Sequence, residues 1–144
     1  MVIENKKGLY DFEILDTLEA GIVLTGSETK SFFENRVTLQ GSFVRIIENE
    51  MYLVNAKFTL NSVPQDKQSQ TRKLLVHKKE LLVWSNKVKE KKLTLIPVSM
   101  YTRGRFIKLK IGLARSLKEY AKRDKLKNKD IERETERDYR SKLS

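Results

Sequence analysis

The stretch "RKLLVHKKELL", Arg72 to Leu82, carries the chain's single histidine, His77. As a metal ligand, His77 would pair with Glu80 one helical turn away. Di-iron helices use the reverse order, Glu-x-x-His, with further carboxylates from other helices. Here the neighbours are Lys78 and Lys79, which repel a cation. As a general base, His77 would need a nucleophile or an orienting partner, and the sequence names none. The chain has no cysteine, which excludes disulfides, thiol nucleophiles and cysteine-ligated zinc. "GIVLTGSE", Gly21 to Glu28, looks superficially like a P-loop, but Ser27 stands where the phosphate-reaching lysine belongs. Glu13, Glu19, Glu28 and Glu34 are carboxylates that could do acid–base work, yet their spacing fits surface solvation and helix capping better. No catalytic residue, metal or cofactor is expected. A histidine beside lysines at a helix start more commonly donates hydrogen bonds to backbone, phosphate or a base.

The charge balance points to a polyanion. The net charge is +11 over 144 residues, and charged residues make up 34% of the chain, against roughly 25% in an average domain. Residues 1–71 are net −3, residues 72–110 net +10 and residues 111–144 net +4. A localised basic block attracts a polyanion with steep salt dependence. A basic surface kept for solubility is the alternative. "MVIENKKGLYDF" has no apolar run of the signal-peptide kind, and no apolar stretch is long enough to span a membrane. A cytoplasmic location is expected.

The elements that must carry these residues follow from periodicity. Tyr10, Phe12, Ile14 and Leu18 alternate with polar residues as in a half-buried strand, interrupted at Leu15-Asp16. Gly21 breaks that run, and Ile22-Val23-Leu24 reads as a second short strand. Thr25 or Ser27 caps a short helix ending near Asn35. "SFVRIIE" and "MYLVNA" form a hairpin about Asn49-Glu50. Residues 59–71 read as a long, mobile loop. Leu81, Leu82, Ser85 and Val88 give a helix from about His77 to Lys91. "LTLIPVSMY" and "FIKLKIGLA" flank Thr102 to Arg105 as a second hairpin. In its last strand Ile107, Leu109, Ile111 and Leu113 face one way, and Phe106, Lys108 and Lys110 the other. Pro97 lacks an N–H, so its strand must be an edge or carry a bulge there. Beyond Ala114 there is no sustained apolar stripe.

Several short antiparallel strands with helices suggest an OB-like barrel, with an α+β sandwich as the competing architecture. Lys108 and Lys110 on one strand face, Arg103 and Arg105 at its turn, and the flat rings of Phe106, Tyr101 and Trp84 make the layout of an RNA-binding surface. Trp84 and Phe106 are individually better read as core than as stacking platforms.

"EAGIVLTGSETKS", "RKLLVHKKEL", "KIGLAR", "VKEKKLTLIPVSMY" and "YAKRDKLKNKDIER", in this order and spacing, resemble the SsrA-binding protein family (small protein B, SmpB) from Asn5 to about Lys142. The resemblance implies a mainly β fold with helices: an OB-like antiparallel β-barrel with two to three helices over residues 1–114. It also implies a basic C-terminal tail over residues 115–144, disordered alone and helical on the ribosome. The implied function is a non-catalytic adaptor that binds transfer-messenger RNA at its tRNA-like domain and delivers it to stalled ribosomes for trans-translation. Alanyl-tRNA synthetase and elongation factor Tu would be indirect partners, and a monomer is expected.

Carried onto this chain, the family's RNA-binding positions fall at Asn5, Glu19, Leu75, His77 and Lys108. Lys30, Arg72, Lys73 and Lys110 join them as RNA-binding candidates. Glu19 can accept hydrogen bonds from base edges or a 2′-hydroxyl, Leu75 can pack on a splayed base, and Lys108 can meet phosphate. A core position is the other reading of Leu75. Candidate ribosome contacts are Tyr10, Arg115, Lys118, Tyr120, Lys122 and Arg123. The chain departs from the family pattern at Ser116-Leu117 (usually Gly-Lys), Ala121 (usually Asp), Tyr10 (usually His), Ser27 of "GSE" (usually Thr) and Gly41-Ser42-Phe43 (often Asp-Ser-Tyr). Two other functions compete. One is a general single-stranded nucleic-acid-binding OB module; the other is an enzyme acting on RNA through His77 and nearby carboxylates.

Overall fold

The computed structural model describes residues 1–59 and 68–117. In chain order the elements are β1 (Val2–Glu4), a 3-10 turn (Lys7–Leu9), β2 (Phe12–Ile22), α1 (Gly26–Phe33), β3 (Val37–Thr38), β4 (Phe43–Ile47) and β5 (Glu50–Val54). There follow β6 (Lys57–Phe58), β7 (Arg72–Leu75), α2 (Lys78–Lys91), β8 (Thr94–Arg103) and β9 (Phe106–Ser116). The described fold is mainly β sheet with two α-helices. No helix among the described residues is long and apolar enough to cross a membrane.

Seven strands form one antiparallel sheet in the order β1-β8-β4-β5-β7-β2-β9, with β8 also pairing β9, while β3 and β6 pair separately. Two long strands make this possible. One edge of β8 is shared: Ser99 to Tyr101 face β1, and Leu95 faces Val44 of β4. Its other edge runs along β9. β2 pairs β9 from Phe12 to Gly21 and meets β7 through Gly21 and Ile22. The break expected at Gly21 is therefore absent, and Ile22-Val23-Leu24 is not a separate strand. Paired on both sides, the backbone at Gly21 runs straight on. The interruption at Leu15-Asp16 is real, and appears as a register shift between Ile14 and Asp16. Tyr10 lies just outside β2, at the end of the 3-10 turn.

Local chemistry explains the turns. Glu48 and Asn49 both have positive φ, 50° and 61°, the conformation of a two-residue type I′ hairpin. The β4–β5 turn thus sits one residue before the expected Asn49-Glu50. Gly104, at φ 62°, turns β8 into β9. At Pro97 the predicted bulge is present, since the β8–β9 register shifts between Pro97 and Ser99. β9 runs two residues beyond Ala114, because Arg115 and Ser116 still pair with Glu13 and Phe12. Most of the loop expected over 59–71, and the tail from Lys118 onward, lie outside the described residues.

The core is built on the inward faces of the sheet. Phe32, Phe58, Met51, Leu53, Met100, Leu109 and Ile111 are fully buried, each such side chain contributing about 1.5–3 kcal/mol of burial. Trp84 is 5% exposed and locks α2 to that core.

A buried ion pair ties the small elements together. The Thr25 hydroxyl accepts from the Glu28 N–H at 3.2 Å, and the Thr25 N–H donates to Glu28 Oε1 at 3.0 Å, closing a capping box on α1. Glu28 Oε2 meanwhile accepts from Arg72 Nε, both side chains being almost wholly buried. The guanidinium also donates to the carbonyls of Ala56, Gln70 and Gln68 at 2.9, 2.7 and 2.8 Å, and lies 4.1 Å from the centroid of the Phe58 ring. Its donors are used internally, so Arg72, expected on the RNA surface, is instead a structural cation of the core.

Removing one partner of such a pair strands a buried charge, whereas removing both charges costs much less. Arg72→Ala should therefore lower unfolding stability by about 3–5 kcal/mol in urea titration. The Glu28→Gln/Arg72→Met double variant, which keeps the cap, should recover most of that loss. Equal losses in both would contradict the stranded-charge account.

Candidate nucleic-acid interface

A cleft of about 740 Å³ opens between α1, the β7–α2 junction and the β2–β9 face. Glu19, Leu75, His77 and Lys108 all line it, so positions far apart in sequence converge on one surface. β7 alternates: Arg72 and Leu74 point inward, while Lys73 and Leu75 point out. Leu75 is 54% exposed, which removes the core reading for it. His77 follows as N-cap of α2, in extended conformation, and its carbonyl accepts from the Leu81 N–H at 3.0 Å. Its imidazole makes no capping bond.

Glu19 is the best-organised polar group of the cleft. It sits on the outward face of β2, opposite Lys110 of β9. The Tyr101 hydroxyl donates to its Oε2 at 2.5 Å, and Arg103 donates to Oε1 and Oε2 at 3.1 and 3.0 Å. The Tyr101 hydrogen bond is the chief cause that holds the Glu19 carboxyl below its usual value, against partial desolvation and with help from Arg103 and Lys108. Burial, then the bond to Glu19, pushes the Tyr101 phenol up to about 12. At neutral pH the pair is a carboxylate accepting from a neutral phenol.

Exposed rings and aliphatic side chains line the cleft beside the polar Thr29, His77, Glu80, Arg105 and Lys108. Phe106 is 68% exposed and Phe33 55%. The ammonium of Lys108 lies 5.5 Å from the Phe106 ring centroid, a cation–π contact. Phe106 is thus a surface residue and Trp84 a core one, so the core reading of both holds only for Trp84. Sequence reasoning missed Phe33. The sequence held no decisive signal: an apolar helix stripe about 100° wide can hold two adjacent residues, so the pair Phe32-Phe33 does not by itself say that one ring is exposed. Gly21 was also missed as a lining residue. An added Cβ there would meet Leu75 Cβ at 3.4 Å, so the glycine keeps this wall low.

Other expected positions lie elsewhere. Asn5 is 3% exposed. Its amide donates to the Pro97 carbonyl at 2.7 Å and its N–H to the Val98 carbonyl at 3.0 Å, fastening β1 to the β8 bulge. In this arrangement it does not face the cleft, and its buried Oδ1 has no hydrogen-bond partner among the described residues. Lys73 is exposed and pairs with Glu50 at 3.1 Å. Lys30 lies on α1, 4.0 Å from Glu34. Lys110 is exposed on β9, beside the cleft. Tyr10 is half-buried, and Arg115 pairs with Glu13. Lys118, Tyr120, Lys122 and Arg123 lie outside the described residues. Among the described residues no cluster of three or more His, Cys, Asp or Glu could hold a metal.

Comparison with known proteins gives the family of the chain. The family model described as SmpB protein matches residues 2–141. An SsrA-binding protein of Mycoplasma mycoides subsp. mycoides SC is 38% identical, over 97% of this chain and 97% of its own length. One from Sulfurihydrogenibium sp. is 42% identical, over 99% of this chain and 96% of its own. A solved structure described as "tmRNA-SmpB: a journey to the center of the bacterial ribosome" contains a chain 41% identical, with a TM-score of 0.68 over 82% of this chain and 85% of that one. Matched along nearly its whole length by sequence and over most of it by structure, this chain belongs to the SmpB protein family.

Proposed function

We propose that this protein is a non-catalytic, cytoplasmic RNA-binding adaptor. It binds transfer-messenger RNA at its tRNA-like domain and brings it to stalled ribosomes for trans-translation. The observation that carries this reading is the convergence of Glu19, Leu75, His77 and Lys108 on one cleft. That cleft offers a carboxylate acceptor, cations and exposed rings side by side, the combination suited to folded RNA with splayed bases. Family membership supports the choice of RNA. The similar curated proteins are named SsrA-binding protein, and the similar solved chain is described with transfer-messenger RNA and the bacterial ribosome.

The described pairings support an OB-like barrel: β8 joins β4 on one edge and β9 on the other, which brings the two ends of the sheet together. Tyr101 and Arg103 favour the ionised form of Glu19, which suits a hydrogen-bond acceptor. The second module of this reading is the basic tail over residues 115–144, whose first two residues complete β9 and whose part from Lys118 onward lies outside the described residues. Tyr10, Arg115, Lys118, Tyr120, Lys122 and Arg123 contact the ribosome. Alanyl-tRNA synthetase and elongation factor Tu meet the same RNA without direct need of this cleft.

Three outcomes are expected. In a titration against the tRNA-like domain, binding should survive competition by ordinary tRNA and by an unrelated single strand as salt is raised. Equal binding to all three, collapsing with salt, would favour the single-stranded OB module instead. Lys108→Ala should weaken binding and lower the slope of log affinity against log salt by about 1; an unchanged slope would remove Lys108 from the phosphate contacts. Truncation after Leu117 should leave RNA binding within about twofold while abolishing ribosome rescue, because the tail adds a second attachment point through effective concentration. Loss of both together would contradict two separable modules.

A further inference from the structure

Three antiparallel strands set one outward row. Gly21 of β2, Lys108 of β9 and Tyr101 of β8 are in register, with Glu19, Lys110 and Ser99 forming the next row. β8 does not pair with β2 at this point; β9 lies between them. The Tyr101 phenol must therefore cross β9 to reach Glu19, and it arrives at 2.5 Å. Arg103, two residues further on the same face of β8, closes on the carboxylate from its exposed side.

Resting on the adaptor reading above, we propose that Tyr101 is a positioning residue for RNA recognition. Its phenol, spanning β9, fixes Glu19 so that the open acceptor site on Oε1 takes a hydrogen-bond donor of the bound RNA. That donor is a base amino or imino group, or a ribose 2′-hydroxyl. The chemistry follows from the surroundings. A carboxylate among Arg103, Lys108 and Lys110 would otherwise be free to rotate between cations. It would then serve only to reduce the positive charge that phosphate needs. Oε2 accepts from both Tyr101 and Arg103 and Oε1 from Arg103 alone, so of about four lone-pair sites the one left open is on Oε1. A phosphate approaching Glu19 meets like charge, whereas a donor meets a fixed acceptor. Tyr101 thereby converts a screening charge into a discriminating contact.

The experiment uses the full chain and three variants, Tyr101→Phe, Glu19→Gln and the double variant, with the tRNA-like-domain RNA as probe. Tyr101→Phe removes one oxygen and should weaken binding to that RNA about tenfold, with little change for an unrelated single strand held by phosphate contacts. The double variant should bind no worse than Glu19→Gln alone, because both act through the same carboxylate. Additive losses, or unchanged binding in Tyr101→Phe, would overturn the proposal.

A pH series adds a readout that simple loss of packing would not move. The charged groups facing Glu19 are Arg103 from β8 and Lys108 and Lys110 from β9, with Tyr101 as the neutral donor. The Glu19 carboxyl is held low, so the acceptor is lost only as pH falls through that lowered value. In Tyr101→Phe the loss should begin at a higher pH, matched by a higher Glu19 pKa followed by carboxyl NMR; an unmoved pKa would overturn the proposal. If Tyr101→Phe misfolds, Arg103→Met replaces it, its side chain being 72% exposed. A rise in the Glu19 pKa is expected there too. Probe RNA with 2′-deoxy substitutions distinguishes the donors. A Tyr101→Phe penalty that persists assigns a base edge, and one that vanishes assigns the ribose hydroxyl. If wild-type protein fails to prefer the tRNA-like domain, the adaptor reading fails, while the NMR titration still decides whether Tyr101 positions Glu19.

Discussion

The buried Glu28–Arg72 pair is the constraint on which the cleft depends. Glu28 belongs to the first turn of α1 and Arg72 is the first residue of β7. The pair therefore sets where α1 sits relative to β7, and these two elements supply opposite walls of the cleft. Thr29 and Phe33 come from α1, and Leu75 with His77 from the end of β7. Charges this deep are costly unless every donor and acceptor is matched. Here the carboxylate also closes the helix cap, and the guanidinium serves three carbonyls and lies against Phe58. The geometry leaves little room for sliding, and a surface made of three separate elements gains a defined width.

On the surface the opposite logic applies. Lys108, Lys110 and Arg103 are exposed or half-exposed on the β8–β9 hairpin, with the Lys108 ammonium over the Phe106 ring. Their stems cover apolar surface while their heads stay in water. Glu19 stands among them as the single carboxylate held by Tyr101, so attraction to phosphate and selection of a donor coexist in one place.

Much of this was legible in the sequence where a local rule acts alone. Pro97 required an edge or a bulge, Leu109, Ile111 and Leu113 faced inward as alternation demands, and His77 opened α2 as the change of periodicity indicated. Failures came where tertiary pairing outweighs a local signal. Gly21 reads as a breaker, yet β7 and β9 hold it in a continuous strand. Arg72 reads as a surface cation because it stands beside Lys73, and only the distant Glu28 makes it a core residue. The two-residue β3 and β6 carry too few residues for any periodicity. Of the site, Glu19, Leu75, His77 and Lys108 were reached through family resemblance, whereas Tyr101's role depends on a reach across β9 that no spacing reveals.

The pairing of β2 with β9 has a consequence for how the protein is made. Phe12 meets Ser116 and Gly21 meets Lys108, so the longest strand of the N-terminal part waits for the last described one. Closing so large a loop costs entropy before any contact repays it, and folds dominated by such distant pairings form slowly. During synthesis the β4–β5 hairpin can assemble early, but β2 keeps an open edge until β9 emerges. A nascent chain stopped before residue 106 would expose that edge to other strands. The cleft would then be absent, because Lys108, Phe106 and the partner row of Glu19 have yet to be added.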